Sequence, residues 1–258
     1  MLNITSKDNK VIKNISKLLS KSKYRKEQGL FVVEGIRLCT DAVRSKADIE
    51  TFICTEDALN KYPEAVKELE ANASNSFVVT SNIFSMLSDT KTPQGVICVV
   101  KALDNKPQFG KINNKYVLLQ NMQDPSNLGA VLRSADALGF SGVILTKDCC
   151  DILSPKVCRA SMGAVFRVPF IICDDECEFV KDFNKTGRSY AAVVRNGTSI
   201  TEFKYEGTTL LCIGNEGNGL TEDLVKACTY PVTIPMKGNA ESLNAAAAAG
   251  IIMWEMIR

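Results

Sequence analysis

The stretch "LLCIGNEGNGLTEDLVKAC", residues 210–228, decides the fold class. It opens on an unbroken apolar run, LLCIG, crosses a loop holding Gly214, Gly217 and Gly219, and ends in a helical pattern. Thr221 suits a helix N-cap, Glu222 and Asp223 fall in the positive first turn, and Leu220 and Val225 stand at staple spacing. A strand buried on both sides reads as continuous rather than alternating hydrophobicity. An apolar strand, a glycine loop and a helix in that order therefore predict one βα step of a parallel sheet covered by helices on both faces.

The same pattern recurs on either side. Apolar runs stand at "YVLLQNM" (116–122), "GVILT" (142–146), "PFIIC" (169–173), "YAAVV" (190–194) and "PVTIP" (231–235), with helical stretches between most of them. In "DPSNLGAVLRSADALGF" Pro125 and Asn127 suit a helix N-terminus and Gly139 suits the C′ position. Leu128, Val131, Leu132 and Ala135 then share one face. Residues 115–258 are read as one α/β domain. Residues 1–105 alternate helices at 8–21, 35–45 and 63–71 with strands at 30–35, 51–55, 76–80 and 95–100, plus a helical turn at 82–87. That alternation predicts a smaller α/β domain. The polar stretch 106–114, with Pro107 and Gly110, reads as a linker.

Composition narrows the function classes. The 258 residues are 45% apolar and 23% charged, ordinary for a globular protein. No apolar run reaches the ~18 residues of a membrane span. The start, "MLNITSKDNKVIKN", has no apolar core of a secretory signal. Ten scattered cysteines without a C-x-x-C pair read as reduced thiols of a cytoplasmic protein, and no metal is expected. The chain has no histidine, which excludes Ser–His and Cys–His hydrolases. Proton transfer has to use another side chain.

Net charge is only +2, but eight basic residues crowd the first 26 positions against Asp8 alone: Lys7, Lys10, Lys13, Lys17, Lys21, Lys23, Arg25 and Lys26. They read either as a solvated helix face or as contacts to RNA phosphates.

A dinucleotide-binding loop needs G-x-G-x-x-G early in the domain. Here the glycine spacing is reversed, the loop comes late, and Glu216 would repel a diphosphate. Two readings remain: a plain turn in which Glu216 caps the next helix, or a loop whose backbone holds an uncharged or cationic ligand. The stretch "IPMKGNAESLNAAAAAG" (234–250) ends in an alanine-rich helix suited to close packing. Ser242 and Asn244 there read as caps or as site residues. Arg133 reads as an i,i+3 partner of Asp136 or as a free cation.

Taken together, "DPSNLGAVLRSADALG", "IGNEGNGL" and "IPMKGNAESLNAAAAAG" resemble, in order and spacing, the three motifs of the SpoU/TrmH branch of the SPOUT methyltransferases. The intervening "LSPKVCRASMGAVFRVPF" (153–170) is similar to the family's segment between the first and second motifs. In the first domain, "QGLFVVEGIRLCTDAV" resembles the family's substrate-binding domain, which has the small α/β fold of certain RNA-binding ribosomal proteins.

The resemblance implies a parallel sheet closed by a deep trefoil knot. It implies a homodimer formed through the first and last helices of the catalytic domain. It implies methylation of an RNA ribose 2′-hydroxyl by S-adenosylmethionine. Gly214, Ile234 and Leu243 match cofactor-contacting positions, and Asn127, Arg133, Glu216, Ser242 and Asn244 match polar active-site positions. The chain has no long basic C-terminal tail, which favours 23S-type ribosomal RNA over tRNA as substrate. A catalytically silent RNA-binding or ribosome-assembly protein is the competing expectation.

Overall fold

Two sheets emerge from these apolar runs in the computed structural model, which describes residues 1–258. The chain divides into two units, Met1–Asp104 with Leu153–Phe166, and Asn105–Ile152 with Arg167–Arg258.

The first unit runs β1 (Leu2–Ile4), α1 (Lys10–Ser20), α2 (Ser22–Gln28), β2 (Leu30–Glu34), α3 (Ile36–Arg44) and β3 (Ile49–Thr55). It continues α4 (Glu56–Lys61), α5 (Pro63–Asn72), β4 (Ala73–Val79), α6 (Ser81–Leu87) and β5 (Val96–Lys101). Its five strands are ordered β1-β4-β3-β5-β2, with β5 antiparallel to both neighbours. Ile12, Ile15 and Leu18 of α1 and Ile83, Phe84 and Leu87 of α6 bury one face of this sheet against Val32, Ile53 and Ile97. Helix α1 starts at Lys10 because the Asn9 side chain accepts the Val11 amide at 2.8 Å.

The second unit begins with β6 (Lys115–Leu119), α7 (Pro125–Ala137) and β7 (Gly142–Thr146). The chain then returns to the first unit as α8 (Pro155–Ala160) and most of α9 (Ala164–Arg167). Arg159 of α8 lies 3.7 Å from the buried Glu34 carboxylate and 3.2 Å from Asp89. The Phe166 and Phe31 rings stand 6.1 Å apart. This excursion was not legible in the sequence, where 153–166 reads as part of the second domain. Its partners are distant in the chain.

The second unit resumes with β8 (Phe170–Cys173), α10 (Glu176–Phe183), β9 (Arg188–Ala192), β10 (Thr198–Ser199), β11 (Thr209–Ile213), α11 (Glu222–Ala227), β12 (Tyr230–Thr233) and α12 (Ala245–Glu255). Its seven strands, ordered β10-β12-β9-β11-β6-β7-β8, pair only in parallel, as the continuous apolar runs predict. Tyr116, Leu118, Leu210 and Cys212 point to one face, under Val180 and Phe183 of α10 and Leu224 of α11. Strand alternation sends Val117, Leu119, Leu211 and Ile213 to the other. On that side α7 and α12 pack on each other and on β7 and β11. Residues 106–114 are tied down onto this unit. The Tyr116 hydroxyl donates to the Gln108 carbonyl at 2.5 Å, and the Thr208 hydroxyl to the Lys111 carbonyl at 2.9 Å.

Parallel pairing puts all strand carboxyl ends at one edge. Because β11 lies between β6 and β9, the loops after β6 and β11 leave the sheet side by side.

Candidate functional site

A cavity of about 270 Å³ opens at this edge of the second unit. Gly214, Glu216, Ile234, Ser242 and Leu243 all line it, so five of the eight site residues expected from the motifs share one wall. Much of the rest is apolar, from Val193 and Val194 after β9, Val232 in β12, and Ala248 and Ile252 on α12, with Asn215, Asn218 and Thr233 adding polar groups. No lysine or arginine lines it, and its only charged residues are Glu216 and Glu241.

The glycine loop is closed on itself. The Asn215 amide donates to the Gly219 carbonyl at 3.1 Å, and the Gly219 amide donates back at 2.9 Å. The Asn215 side-chain oxygen accepts the Gly217 and Asn218 amides, and its Nδ2 donates to the Asn121 carbonyl at 2.8 Å. That Asx-type turn ties the second motif to the first. Gly214 sits where the Gly219–Leu220 main chain crosses it. A Cβ there would lie 2.1–2.3 Å from backbone atoms.

Glu216 does not cap the following helix; the Thr221 hydroxyl accepts the Leu224 amide and does so. Instead the Glu216 carboxylate receives the Asn127 side-chain amide at 3.0 Å and the main-chain amides of Asp124 at 3.2 Å and Gln123 at 3.4 Å. It thus sits at the N-terminus of α7, where orphan amides and the helix dipole favour an anion. Partial burial pushes its carboxyl pKa up. The hydrogen bonds from Asn127 and the neighbouring main chain outweigh that and hold it below the ordinary glutamate value. Glu216 is therefore a carboxylate at neutral pH, engaged as an acceptor.

Asn127, buried to 7% exposure, passes the connection on. Its Oδ1 accepts Nδ2 of Asn244 at 2.9 Å. Asn244 Oδ1 in turn accepts the Ala246 and Ala247 amides. Asn244 thus caps α12 with its Oδ1 and ties that cap to Asn127 with its Nδ2, while standing outside the cavity lining. Truncating Asn127 would remove both contacts; with Glu216 and Asn244 exposed to water, each loss is worth about 0.5–1.5 kcal/mol.

Arg133 stands on the exposed face of α7 and does not line the cavity. Its expected partner Asp136 is held by Arg167, at 2.7 and 3.0 Å, which leaves the Arg133 guanidinium without an ion pair.

Sequence reasoning missed two contributors. Asn215 was hidden by its neighbour Glu216, although Asn in a glycine turn is the usual Asx signal. Gln120 is 4% exposed at the end of β6; it donates to Glu176 at 2.8 Å and to Thr221 at 2.9 Å and accepts the Thr221 amide. A polar residue closing an apolar strand was its only trace.

Among the basic N-terminal residues, Lys7, Lys10, Lys13, Lys17, Lys21, Lys23 and Lys26 are exposed on or beside α1 and α2. Arg25 is not: it is 6% exposed, and its guanidinium donates to the Leu18 carbonyl at 2.6 Å. It closes the C-terminal end of α1 and is unavailable to phosphate. Charge counting could not separate it from its exposed neighbours.

Residues 114–254 match the SpoU rRNA Methylase family, and residues 9–98 match the MRM3-like substrate binding domain. The 23S rRNA (guanosine-2′-O)-methyltransferase RlmP of Bacillus subtilis is 28% identical over 99% of this chain and 99% of its own length. A 23S rRNA (uridine-2′-O)-methyltransferase of Streptomyces viridochromogenes is 31% identical over 93% of this chain and 87% of its own. The crystal structure of an AdoMet-bound rRNA methyltransferase from Sinorhizobium meliloti superposes with a TM-score of 0.85 at 28% identity, covering 98% of this chain and 96% of that one. With the family's three motifs gathered at the ends of β6, β11 and β12, and the match spanning the whole second unit from β6 to α12, the chain belongs to the SpoU rRNA Methylase family.

Proposed function

We propose that this protein transfers a methyl group from S-adenosylmethionine to a ribose 2′-hydroxyl of 23S-type ribosomal RNA. One observation carries the reading: a cavity walled by apolar side chains and glycine-loop backbone whose only charges are two carboxylates. Such a lining suits an adenosyl ligand with a sulfonium charge and repels a diphosphate. Gly214, Ile234 and Leu243 would hold it largely through main chain, beside Ser242. When bound, the cofactor supplies a methyl group on a positively charged sulfur.

The chain's own residues supply positioning. Glu216, Asn127 and Asn244 lock the loops after β6 and β11 and the start of α12 into one arrangement. Arg133 binds the phosphate beside the target ribose and stabilises the alkoxide that develops on the 2′-oxygen. A guanidine free base is too rare above a pKa of ~12 to carry the reaction alone. Orientation and electrostatics therefore provide most of the acceleration.

Residues 1–105 would bind RNA through the exposed lysines of α1 and α2, with residues 115–258 catalytic. Changing Lys7, Lys10, Lys21 and Lys26 together to Gln should weaken RNA binding and flatten its salt dependence, by up to about 0.7–0.9 in log–log slope for each phosphate left unneutralised. A filter-binding series across salt concentrations reads this, and an unchanged slope returns these lysines to a plain solvated surface.

The exposed Ile251 and Trp254, one turn apart on α12, favour a second copy of the chain as their cover, giving the homodimer of the family. The return of the chain from β12 to pack α12 on α7 favours the trefoil knot. Free cysteines throughout suit the cytoplasm. No helix is long and apolar enough to cross a membrane.

Two relatives of similar identity are named for ribose methylation of different nucleosides, guanosine and uridine, so neither nucleoside is carried over to this chain. Calorimetry should show S-adenosylhomocysteine binding and no NAD binding. Mapping ribose methylation in cells with and without the protein should show one ribosomal site lost. Binding of NAD in place of the homocysteine compound, or an unchanged methylation map, overturns the proposal.

A further inference from the structure

Ten cysteines play no part in the site described above. Six are buried, and Cys39 meets Cys98 within the first unit; a second pair meets beside the cofactor loop. Cys212, in the middle of β11, and Cys228, directly after α11, place their sulfurs 3.6 Å apart. An S–S bond is about 2.05 Å long, so the two sulfurs stand about 1.5 Å beyond bonding distance. The two differ in access. Cys212 is fully buried in the core beneath α10 and α11, whereas Cys228 is partly exposed at its edge. In sequence they bracket Gly214–Leu220 and the whole of α11.

We propose that Cys228 and Cys212 form a reversible disulfide with small-molecule disulfides of the glutathione type, Cys228 as the attacking thiol and Cys212 as the resolving one. In the first step the Cys228 thiolate attacks one sulfur of the oxidant. The oxidant's S–S bond breaks, and one thiolate leaves and takes up a proton. In the second, Cys212 gives its proton to solvent and attacks the Cys228 sulfur, displacing the second thiolate. The two cysteines lose two electrons and two protons, and the oxidant becomes two thiols. Polarity within the pair fits this order. Hydrogen bonding from Cys212, and from Ser189, outweighs burial and holds the Cys228 thiol below the ordinary value. The bond to Cys228, together with burial, raises Cys212. The partly exposed thiol is thus the one that ionises first. The product would staple the start of the cofactor loop to the end of the helix that follows it.

The test is oxidation of the reduced full-length protein with glutathione disulfide, alkylation of the remaining thiols, and peptide mass mapping. The expected result is a cross-link joining the peptides of Cys212 and Cys228, reversed by dithiothreitol. Cys212→Ser should stop at a glutathione adduct on Cys228, and Cys228→Ser should leave Cys212 unmodified. Recovery of both residues alkylated while other partly exposed cysteines such as Cys177 have reacted overturns the proposal, as does a cross-link that pairs either residue elsewhere. Should a variant fail to fold, the wild-type map alone decides between these outcomes.

Discussion

Arg133→Ala is expected to lower kcat for ribosomal RNA about 10²–10³-fold, the usual loss when one preorganised charge donor leaves a developing oxyanion. The affinity for S-adenosylhomocysteine should stay at the wild-type value. The split follows from placement. Arg133 lies outside the cavity wall, so its removal deletes no cofactor contact. Its charge is uncommitted, because Arg167 occupies Asp136. An exposed guanidinium with no internal partner, one helical face from the Asn127–Glu216 contact, is available to RNA. Arg133→Lys should remain strongly impaired, since a point charge lacks the planar fork that grips phosphate through two hydrogen bonds. Asp136→Ala is the matched control. It removes the carboxylate that Arg167 holds and leaves Arg133 as it was, so kcat should hold. Single-turnover methylation with calorimetry reads all three variants, and full activity in Arg133→Ala removes the residue from the mechanism.

The physical reason that so much was legible lies in strand burial. "GVILT" became β7 at 142–146 because Val143, Ile144 and Leu145, consecutive and all buried, fit the middle of a covered parallel sheet. The strand expected at 210–214 runs Thr209–Ile213, a shift of one residue at an end where pairing alone sets the limit. Short polar elements left no such trace. Helices α2 and α4, seven and six residues long, and the three-residue β1 hold too few apolar positions for a period to show. They form because the first unit supplies partners, such as β4 for β1.

Polar partners were legible only when local. The i,i+3 rule offered Asp136 to Arg133, yet the geometry favoured Arg167, thirty-one residues beyond Asp136. Capping rules found Asn244, and the sequence could not show that its other side-chain atom reaches Asn127 across 117 positions. Glu216 was recognised as a departure from a phosphate loop, which was right in chemistry. Its engagement with the N-terminus of α7 needed the β6–β11 adjacency, which no single stretch encodes.

Within the same loop, Gly214 is the glycine least tolerant of an added Cβ. Gly214→Ala would place a Cβ 2.1 Å from the Gly219 carbonyl carbon, 2.2 Å from the Leu220 nitrogen and 2.3 Å from the Gly219 oxygen. These are main-chain atoms, so no rotamer relieves the overlap. Relief requires parting the reciprocal Asn215–Gly219 hydrogen bonds, which displaces Glu216 from the amides of Gln123 and Asp124. Overpacking costs about 1–3 kcal/mol even where side chains can yield. At the upper end this is an affinity loss of about 100-fold. S-adenosylhomocysteine binding by Gly214→Ala should therefore fall by at least that factor, while circular dichroism shows the sheet intact. The two neighbouring glycines rank the effect. At Gly217 the nearest atom to a new Cβ is Asn215 Oδ1, 3.5 Å away, so Gly217→Ala should keep wild-type thermal stability. Gly219 meets nothing but has φ +69°, so alanine there carries only the left-handed backbone penalty of about 1–2 kcal/mol. The expected order of damage is Gly214, then Gly219, then Gly217. Equal binding by all three variants would mean that the loop does not close over Gly214, and the cavity would lose the wall on which its chemistry depends.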